Sequence, residues 1–486
     1  MDRDLSRRTF LSTSLAALAC SGCLNIGGPN RPGTATDGGA ARTGTTPGDP
    51  AADASPPTGT QTRDGSPTST PGQSSVRNVR QYGAKGDGET DDTAAIQRAI
   101  DEAGEGETVY FPGGTYLVSA RGGSDANALV LDSERHAEDI TIEGDPGKTV
   151  LLMEGGHERP VYITIRVFVR NGYEGLDIRN LAIDGNRRSQ PGEPGSGVGV
   201  CLLISDAASE AAGNIDISVE NVLAKHGKMN GFAAHCGGVV MDRVTAVDNG
   251  RHGFALDTLK DGHVHDPPLT VKHAYATRNG IDNGNGHGFD LSGGKTVIED
   301  TVSEGNYQGS KTTGEVLEAT YRRVLLSNNK VFGYIKPGES TLTGERAQVT
   351  FEQVTSQYNG ANGYRFARDT DYSLDAILAV SNNRTTGAAN INVTDNAALE
   401  GGDIYSFESL GGPGIFYDSD RDSSVDQYLH SGNLGGSLEM GGDGTMDIGA
   451  NVTYSWDDLD HFAPDNFPDL RDLVELPETA VGVDWE

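Results

Sequence analysis

The chain of 486 residues is short of cysteine, lysine and aromatic side chains, and each shortage closes off a class of protein. Its four cysteines, Cys20, Cys23, Cys201 and Cys236, are too few for a disulfide framework. Spacing leaves open whether Cys201 and Cys236 bridge, and two buried free thiols is the preferred reading. Against 70 acidic residues stand 38 basic ones, for a formal net charge of −32. No long Lys/Arg cluster offers phosphates a face, so nucleic acid is not an expected partner. Long apolar runs are missing as well. The run at residues 11–19 is too short to span a bilayer and reads as the core of a signal segment.

What is abundant is carboxylate and glycine. Such an acidic surface repels itself in dilute buffer. At about 1 M salt the screening length falls to about 3 Å, and the same surface becomes a hydrated shell, so the composition points to a high-salt habitat. The 67 glycines, without a collagen period, suit an all-β chain with many tight turns.

The first 23 residues read as an address. Ser6-Arg7-Arg8-Thr9-Phe10-Leu11 has the form of a twin-arginine signal, and Ala17-Leu18-Ala19-Cys20-Ser21-Gly22-Cys23 resembles a lipobox. Cys23 is the preferred lipidation site and Cys20 the alternative. The expected location is therefore extracytoplasmic, at the cell surface, lipid-anchored or secreted. Any contact with membrane runs only through that N-terminal anchor. Residues 24–77, rich in Gly, Pro, Thr, Ser and Asp, lack the apolar side chains that would offset their ordering entropy and read as a linker.

The folded body opens at residue 78. Thr90-Asp91-Asp92 can cap a helix in which Ala95, Ile96, Ala99, Ile100 and Ala103 recur at helical spacing before Gly104. Val109-Tyr110-Phe111-Pro112-Gly113-Gly114-Thr115-Tyr116 then reads as strand, turn and strand. The run Tyr82-Gly83-Ala84-Lys85-Gly86-Asp87-Gly88 to Tyr116 resembles the opening of the pectate-lyase superfamily. That resemblance implies a right-handed parallel β-helix with an N-terminal capping helix. It says little about chemistry, since enzymes of several classes share the fold.

A loose repeat follows. β-rich runs end at Asn249, Asn279, Asn306, Asn328, Asn359 and Asn382, the period of one solenoid coil. Asn suits left-handed corners and can form ladders between coils. The β-helix is expected over 78–400, and residues 401–486 as final coils and a C-terminal cap containing Trp456, Phe462, Phe467 and a helical stretch at 469–474.

Seven of the eleven histidines fall between 226 and 290: His226, His235, His252, His263, His265, His273 and His287. Histidine exchanges protons near neutrality, so catalysis is sought here. His263-x-His265-Asp266 lacks the spacing of a known metal motif, and no metal or other cofactor is expected. Calcium is permitted by the many Asp residues without a motif behind it. Asn230-Gly231-Phe232-Ala233-Ala234-His235, His252-Gly253-Phe254-Ala255-Leu256-Asp257 and Gly286-His287-Gly288-Phe289 resemble three motif coils of the mannuronan C5-epimerases and related alginate lyases. The resemblance implies that His235 and Asp257 are catalytic. It also implies that Asn230 stands where the family carries a catalytic tyrosine, and Ala233 where it carries an aspartate. His252 and His287 are candidates for the missing acid/base group, and Lys228, Asn230, Arg251 and Asp290 for substrate binding. The expected activity is C5 proton abstraction on an acidic, uronate-containing polysaccharide, as lyase or epimerase, by a monomer. Two alternatives remain: a hydrolase of the polygalacturonase type using Asp257 with Asp290, and a surface glycan-binding or adhesive protein. Arg170, Arg179, Arg187, Arg188, Arg243 and Arg251 are candidates for a basic groove, and Tyr275, Tyr307 and Tyr334 for aromatic platforms.

Overall fold

The computed structural model describes residues 75–453, apart from 121–125, 157–160, 194, 196–197, 207–213, 261–262, 337–345 and 385–386. The leader, Cys23, the linker to residue 74 and residues 454–486 of the expected final coils and cap lie outside the described residues.

The helix Thr93–Asp101 buries Ala95, Ile96, Ala99 and Ile100 on one face. Asp91, rather than Asp92, accepts the Thr93 N–H at its start, at 3.0 Å. The Asp92 carboxylate turns back to accept the N–H groups of Lys85 and Gly86 at 2.7 and 2.9 Å, which ties the preceding loop to the helix. The expected capping helix is thus present, with the two aspartates in different roles.

Beyond it the chain winds as a right-handed parallel β-helix. Thirty-one of the described strands join one sheet through parallel pairings to the coils before and after. Coil stacking continues past residue 400, the strand Ser423–Ser431 pairing in parallel with Met446–Thr453. Among the described residues no helix is long and apolar enough to cross a membrane. Cys201 and Cys236 are buried and unbridged.

Two devices hold the coils in register. The first is an asparagine ladder. Asn249 Nδ2 donates to Asn279 Oδ1 at 2.9 Å, Asn279 to Asn306 at 2.8 Å, Asn329 to Asn359 at 3.0 Å and Asn359 to Asn382 at 2.9 Å. The backbone N–H of Asn306 completes the series by donating to Asn329 Oδ1 at 3.0 Å. Asn329, not the expected Asn328, occupies the ladder. The left-handed corner belongs to the residue before it: Asp248, Arg278, Asn328, Tyr358 and Ser381 have φ of 54, 53, 51, 57 and 47°. The ladder asparagines are fully or nearly fully buried, where a side chain bonded to its neighbours' backbone is well matched to its surroundings.

The second device is a four-residue frame, x-Gly-aromatic-x, repeated where each coil enters the next strand. It reads Asn230-Gly231-Phe232-Ala233, His252-Gly253-Phe254-Ala255, His287-Gly288-Phe289-Asp290, Phe332-Gly333-Tyr334-Ile335 and Asn362-Gly363-Tyr364-Arg365, with Gln308-Gly309-Ser310-Lys311 carrying Ser in the aromatic place. The pairings Phe232–Phe254–Phe289–Ser310–Tyr334–Tyr364 keep these frames in step. The phenyl rings point inward and stack, with centroids 5.0 and 4.8 Å apart, and burying each contributes about 1.5–3 kcal/mol. The glycine is required by closeness: a Cβ on Gly253 would lie 2.8 Å from the Gly288 carbonyl oxygen.

Candidate active site

Side chains alternate across a strand, so when the aromatic of each frame points inward the residue after it faces out. On one outer face this gives a file along the helix axis: Leu203, Ala233, Ala255, Asp290, Lys311, Ile335 and Arg365. Two positions further along the strands, still facing out, stand His235 and Asp257. Each lies one residue past the paired Ala234 and Leu256, so adjacent coils set their backbones about 4.8 Å apart. Ser205 pairs with His235 on the preceding coil, where Arg166 pairs with Leu203. The strand register therefore brings His235 and Asp257 to one outer face of adjacent coils.

Their environments move their proton affinities in opposite directions. His235 is exposed at the end of its strand. Desolvation by neighbouring atoms, and secondly the Arg166 guanidinium, lowers its pKa from the ordinary 6.5, so it is a neutral base at pH 7. Burial pushes the Asp257 carboxyl up to about 6, with Glu315 and Asp290 adding to the rise and the Leu259 N–H bond opposing it. Gly293 lies between Asp257 and Glu315 in the register. A side chain there would collide with the Asp257 carboxylate, so its absence leaves that group room.

The first residues of the frames, Asn230, His252, His287 and Gln308, form a second file at the strand entrance. His252 and His287 are enclosed, with near-parallel rings and Nδ1 atoms 2.9 Å apart. His252 Nε2 lies 3.4 Å from Asp290 Oδ2, His287 Nδ1 lies 3.6 Å from Asp290 Oδ1, and Lys311 Nζ lies 3.8 Å from the same oxygen. Burial lowers the pKa of both imidazoles, that of His287 to about 4. Burial alone would raise the pKa of Asp290. The neighbouring His252 and His287, and after them Lys311 and Arg251, turn the shift downward and favour the ionised carboxylate. Both histidines are turned to each other, so any part they take in groove chemistry is indirect. Asn230 is buried too, its Oδ1 accepting the His252 N–H at 3.3 Å.

Other expected site residues are engaged elsewhere. Lys228 is buried with its ammonium on the Pro191 carbonyl. Arg170 is bidentate to Asp132 at 2.9 and 3.0 Å, Arg187 meets Asp282 at 2.7 Å, Arg179 pairs with Glu143 and Arg243 with Glu220. Four of the six expected arginines are thus paired elsewhere, Arg251 stays close enough to act on Asp290, and Arg166, Lys311 and Arg365 add basic groups to the outward file. Tyr334 is fully buried, its hydroxyl 2.7 Å from Thr312 Oγ1, and is a core residue rather than a sugar platform. Lys311, Arg166 and Glu315 were not anticipated. Gly309 carries the signal for Lys311, because Gln308-Gly309-Ser310-Lys311 repeats the frame without its aromatic.

The stack resembles known proteins in sequence over part of its length and in shape over most of it. The chain is 31% identical over 203 residues to alginate lyase 7 of Azotobacter vinelandii, covering 37% of this chain and 23% of that one. It is 32% identical over 190 residues to mannuronan C5-epimerase AlgE4 of the same organism, covering 38% of this chain and 32% of that one. The chain thus spans about a quarter to a third of the length of these curated relatives. Among solved structures, the A-module of Azotobacter vinelandii mannuronan C-5 epimerase AlgE6 superposes with a TM-score of 0.63 at 21% identity, over 78% of this chain and 99% of that one. Residues 76–331, more than half of the sequence, match the Rhamnogalacturonase A/epimerase, pectate lyase-like family, and the chain belongs to that family.

Proposed function

We propose that this protein is a lyase of uronate-containing polysaccharide, with His235 as base and Asp257 as acid. The carrying observation is that a neutral, exposed imidazole and a carboxyl of raised pKa stand one coil apart on the same outer face. In the reaction, His235 takes the C5 proton α to the uronate carboxylate. The electron pair forms the C4–C5 double bond, the C4–O bond breaks, and the departing oxygen takes a proton from Asp257. Arg166 or Lys311 neutralises the substrate carboxylate, which acidifies the C5 proton. Positioned proton transfer of this kind contributes about 10²–10⁴-fold. The relatives named alginate lyase and mannuronan C5-epimerase support the substrate class. Asn230, buried where the family resemblance implies a tyrosine, favours elimination over two-faced epimerisation. Export through the twin-arginine leader, with or without lipid on Cys23, would place the reaction outside the cell.

One observation favours a second reading, an inverting hydrolase. Asp257 and Glu315 straddle Gly293 two coils apart, about 9–10 Å between backbones, and inverting glycosidases hold their carboxyls about 6.5–9.5 Å apart. Glu315 replaces Asp290 in this reading, because Asp290 is enclosed against the histidine pair.

The test supplies the full chain, in strong salt and deuterated water, with polymannuronate, polyguluronate and polygalacturonate. Proton NMR would read unsaturated sugar ends and deuterium at C5. Unsaturated ends that vanish in His235→Ala support the lyase. New reducing ends without unsaturation, lost in Glu315→Gln but kept in His235→Ala, would replace it with the hydrolase.

A further inference from the structure

Coil stacking also assembles three metal-ligand side chains that the chemistry of His235 and Asp257 leaves unused. His252, His287 and Asp290 are 2, 3 and 7% exposed, and one donor atom from each lies within 4.8 Å of the others. A structural explanation accounts for the imidazoles, because an Nδ1–H···Nδ1 hydrogen bond at 2.9 Å satisfies both facing nitrogens. It does not account for Asp290, whose Oδ1 is buried and accepts no hydrogen bond. Buried carboxylate oxygens are ordinarily bonded, and this one is aimed at the histidine pair.

The spacing is informative. Two nitrogens 2.9 Å apart, each about 2.05 Å from one ion, subtend about 90° at it. That is the cis angle of a six-coordinate or tetragonal ion, narrower than a tetrahedral one. Two imidazoles and one carboxylate suit borderline first-row dications, whereas calcium and magnesium prefer oxygen alone. The geometry points to a binding site for one first-row transition-metal dication, held by His252, His287 and Asp290 at the edge of the groove.

Binding costs no proton overall. The imidazole that now donates through Nδ1 moves its hydrogen to Nε2, freeing both Nδ1 lone pairs, and small ring rotations turn them toward the ion. Lys311, the ammonium 3.8 Å from Asp290 Oδ1, competes with the metal. Its side chain is 21% exposed, so it can swing toward solvent as the ion enters. The site therefore carries a built-in antagonist, which supplies a variant of opposite sign. These three ligands stand together whether the groove eliminates or hydrolyses.

The experiment titrates the chelator-treated full chain with Cu²⁺ and Co²⁺, in strong salt to suppress loose binding to surface carboxylates. One equivalent should bind, and the Cu²⁺ electron paramagnetic resonance spectrum should carry nitrogen coupling from two imidazoles. His252→Ala and His287→Ala should each weaken binding tenfold or more, and Lys311→Met should tighten it. Absence of saturable binding, an all-oxygen Cu²⁺ spectrum, or wild-type affinity in His287→Ala would each overturn the site. The spectrum reads ligand identity on the unaltered protein, so the outcome does not depend on the variants folding.

Discussion

Asp257 holds its proton more tightly in the folded chain than in the unfolded one, and that has a stability consequence of definite sign. Its carboxyl is pushed up to about 6 by burial, against about 3.9 unfolded. Below the unfolded value both states are protonated and the group is neutral in its effect. Between the two values the folded state retains a proton the unfolded state has released. Above about 6 the folded state bears the full cost of a desolvated charge, an upper bound of about 3 kcal/mol. Asp257→Asn should therefore raise the melting temperature at pH 8 and leave it nearly unchanged at pH 3.5, as calorimetry at the two pH values would show. An equal rise at both would mean that the site is strained sterically rather than by charge. The same variant should abolish activity, which is the usual tension between stability and function at such a site.

Elements in this fold are held less by strand length than by what recurs at each corner. Asn306 Nδ2 donates to the Ala276 carbonyl at 2.9 Å, and its Oδ1 accepts from both the backbone and the side chain of Asn279. Asn306→Ala strands several buried polar groups at once and should cost about 2–4 kcal/mol by urea denaturation. Asn328→Gly, at a left-handed corner outside the ladder, should be close to neutral. The pair of variants separates the two asparagine roles that sequence spacing merges, since Asn328 and Asn329 are neighbours and either one fits the period. The same merging explains how much of the site was legible. The Gly-Phe pairs that made the three motif coils recognisable are the glycine corner and the phenyl stack, so they report the fold. His235 and Asp257 follow from them by counting along the strand, one residue past the paired Ala234 and Leu256. Lys311 was missed because Ser310 stands where the aromatic belongs. Arg166 was missed because it lies two coils earlier on a strand without the frame. The burial of His252, His287 and Tyr334 depends on which face a residue takes at a corner, which alternation alone does not decide.

At the scale of the whole molecule, a net charge of −32 makes the fold answer to its solvent. The described surface balances part of this locally, as where Arg323 meets Glu299 and Asp300 at 2.5–2.6 Å and Arg322 meets Glu352 at 2.5 Å. Exposed pairs of this kind contribute little singly, and the unmatched carboxylates repel. The melting temperature should rise as NaCl goes from about 0.1 M to about 2 M, where screening shrinks to a few ångströms. A fall would show that local ion pairs, which salt weakens, outweigh the general repulsion.

The asparagine ladder asks only that one residue return to the same corner on each coil, and it is indifferent to how far the chain wanders in between. Successive members are 30, 27, 23, 30 and 23 residues apart, yet the ladder bonds between them are of one length. In evolutionary terms this makes the coil a unit that can be copied or lost whole, asparagine to asparagine, without a seam. It also sets where such growth is tolerated. Arg166, His235, Asp257, Asp290 and Lys311 are drawn from nearly consecutive coils, so a coil inserted among them would separate the reacting groups. One inserted after Asn329 would lengthen the groove and leave them together. A lineage of such proteins can thus lengthen the stack beyond Asn329 while the reacting groups stay together.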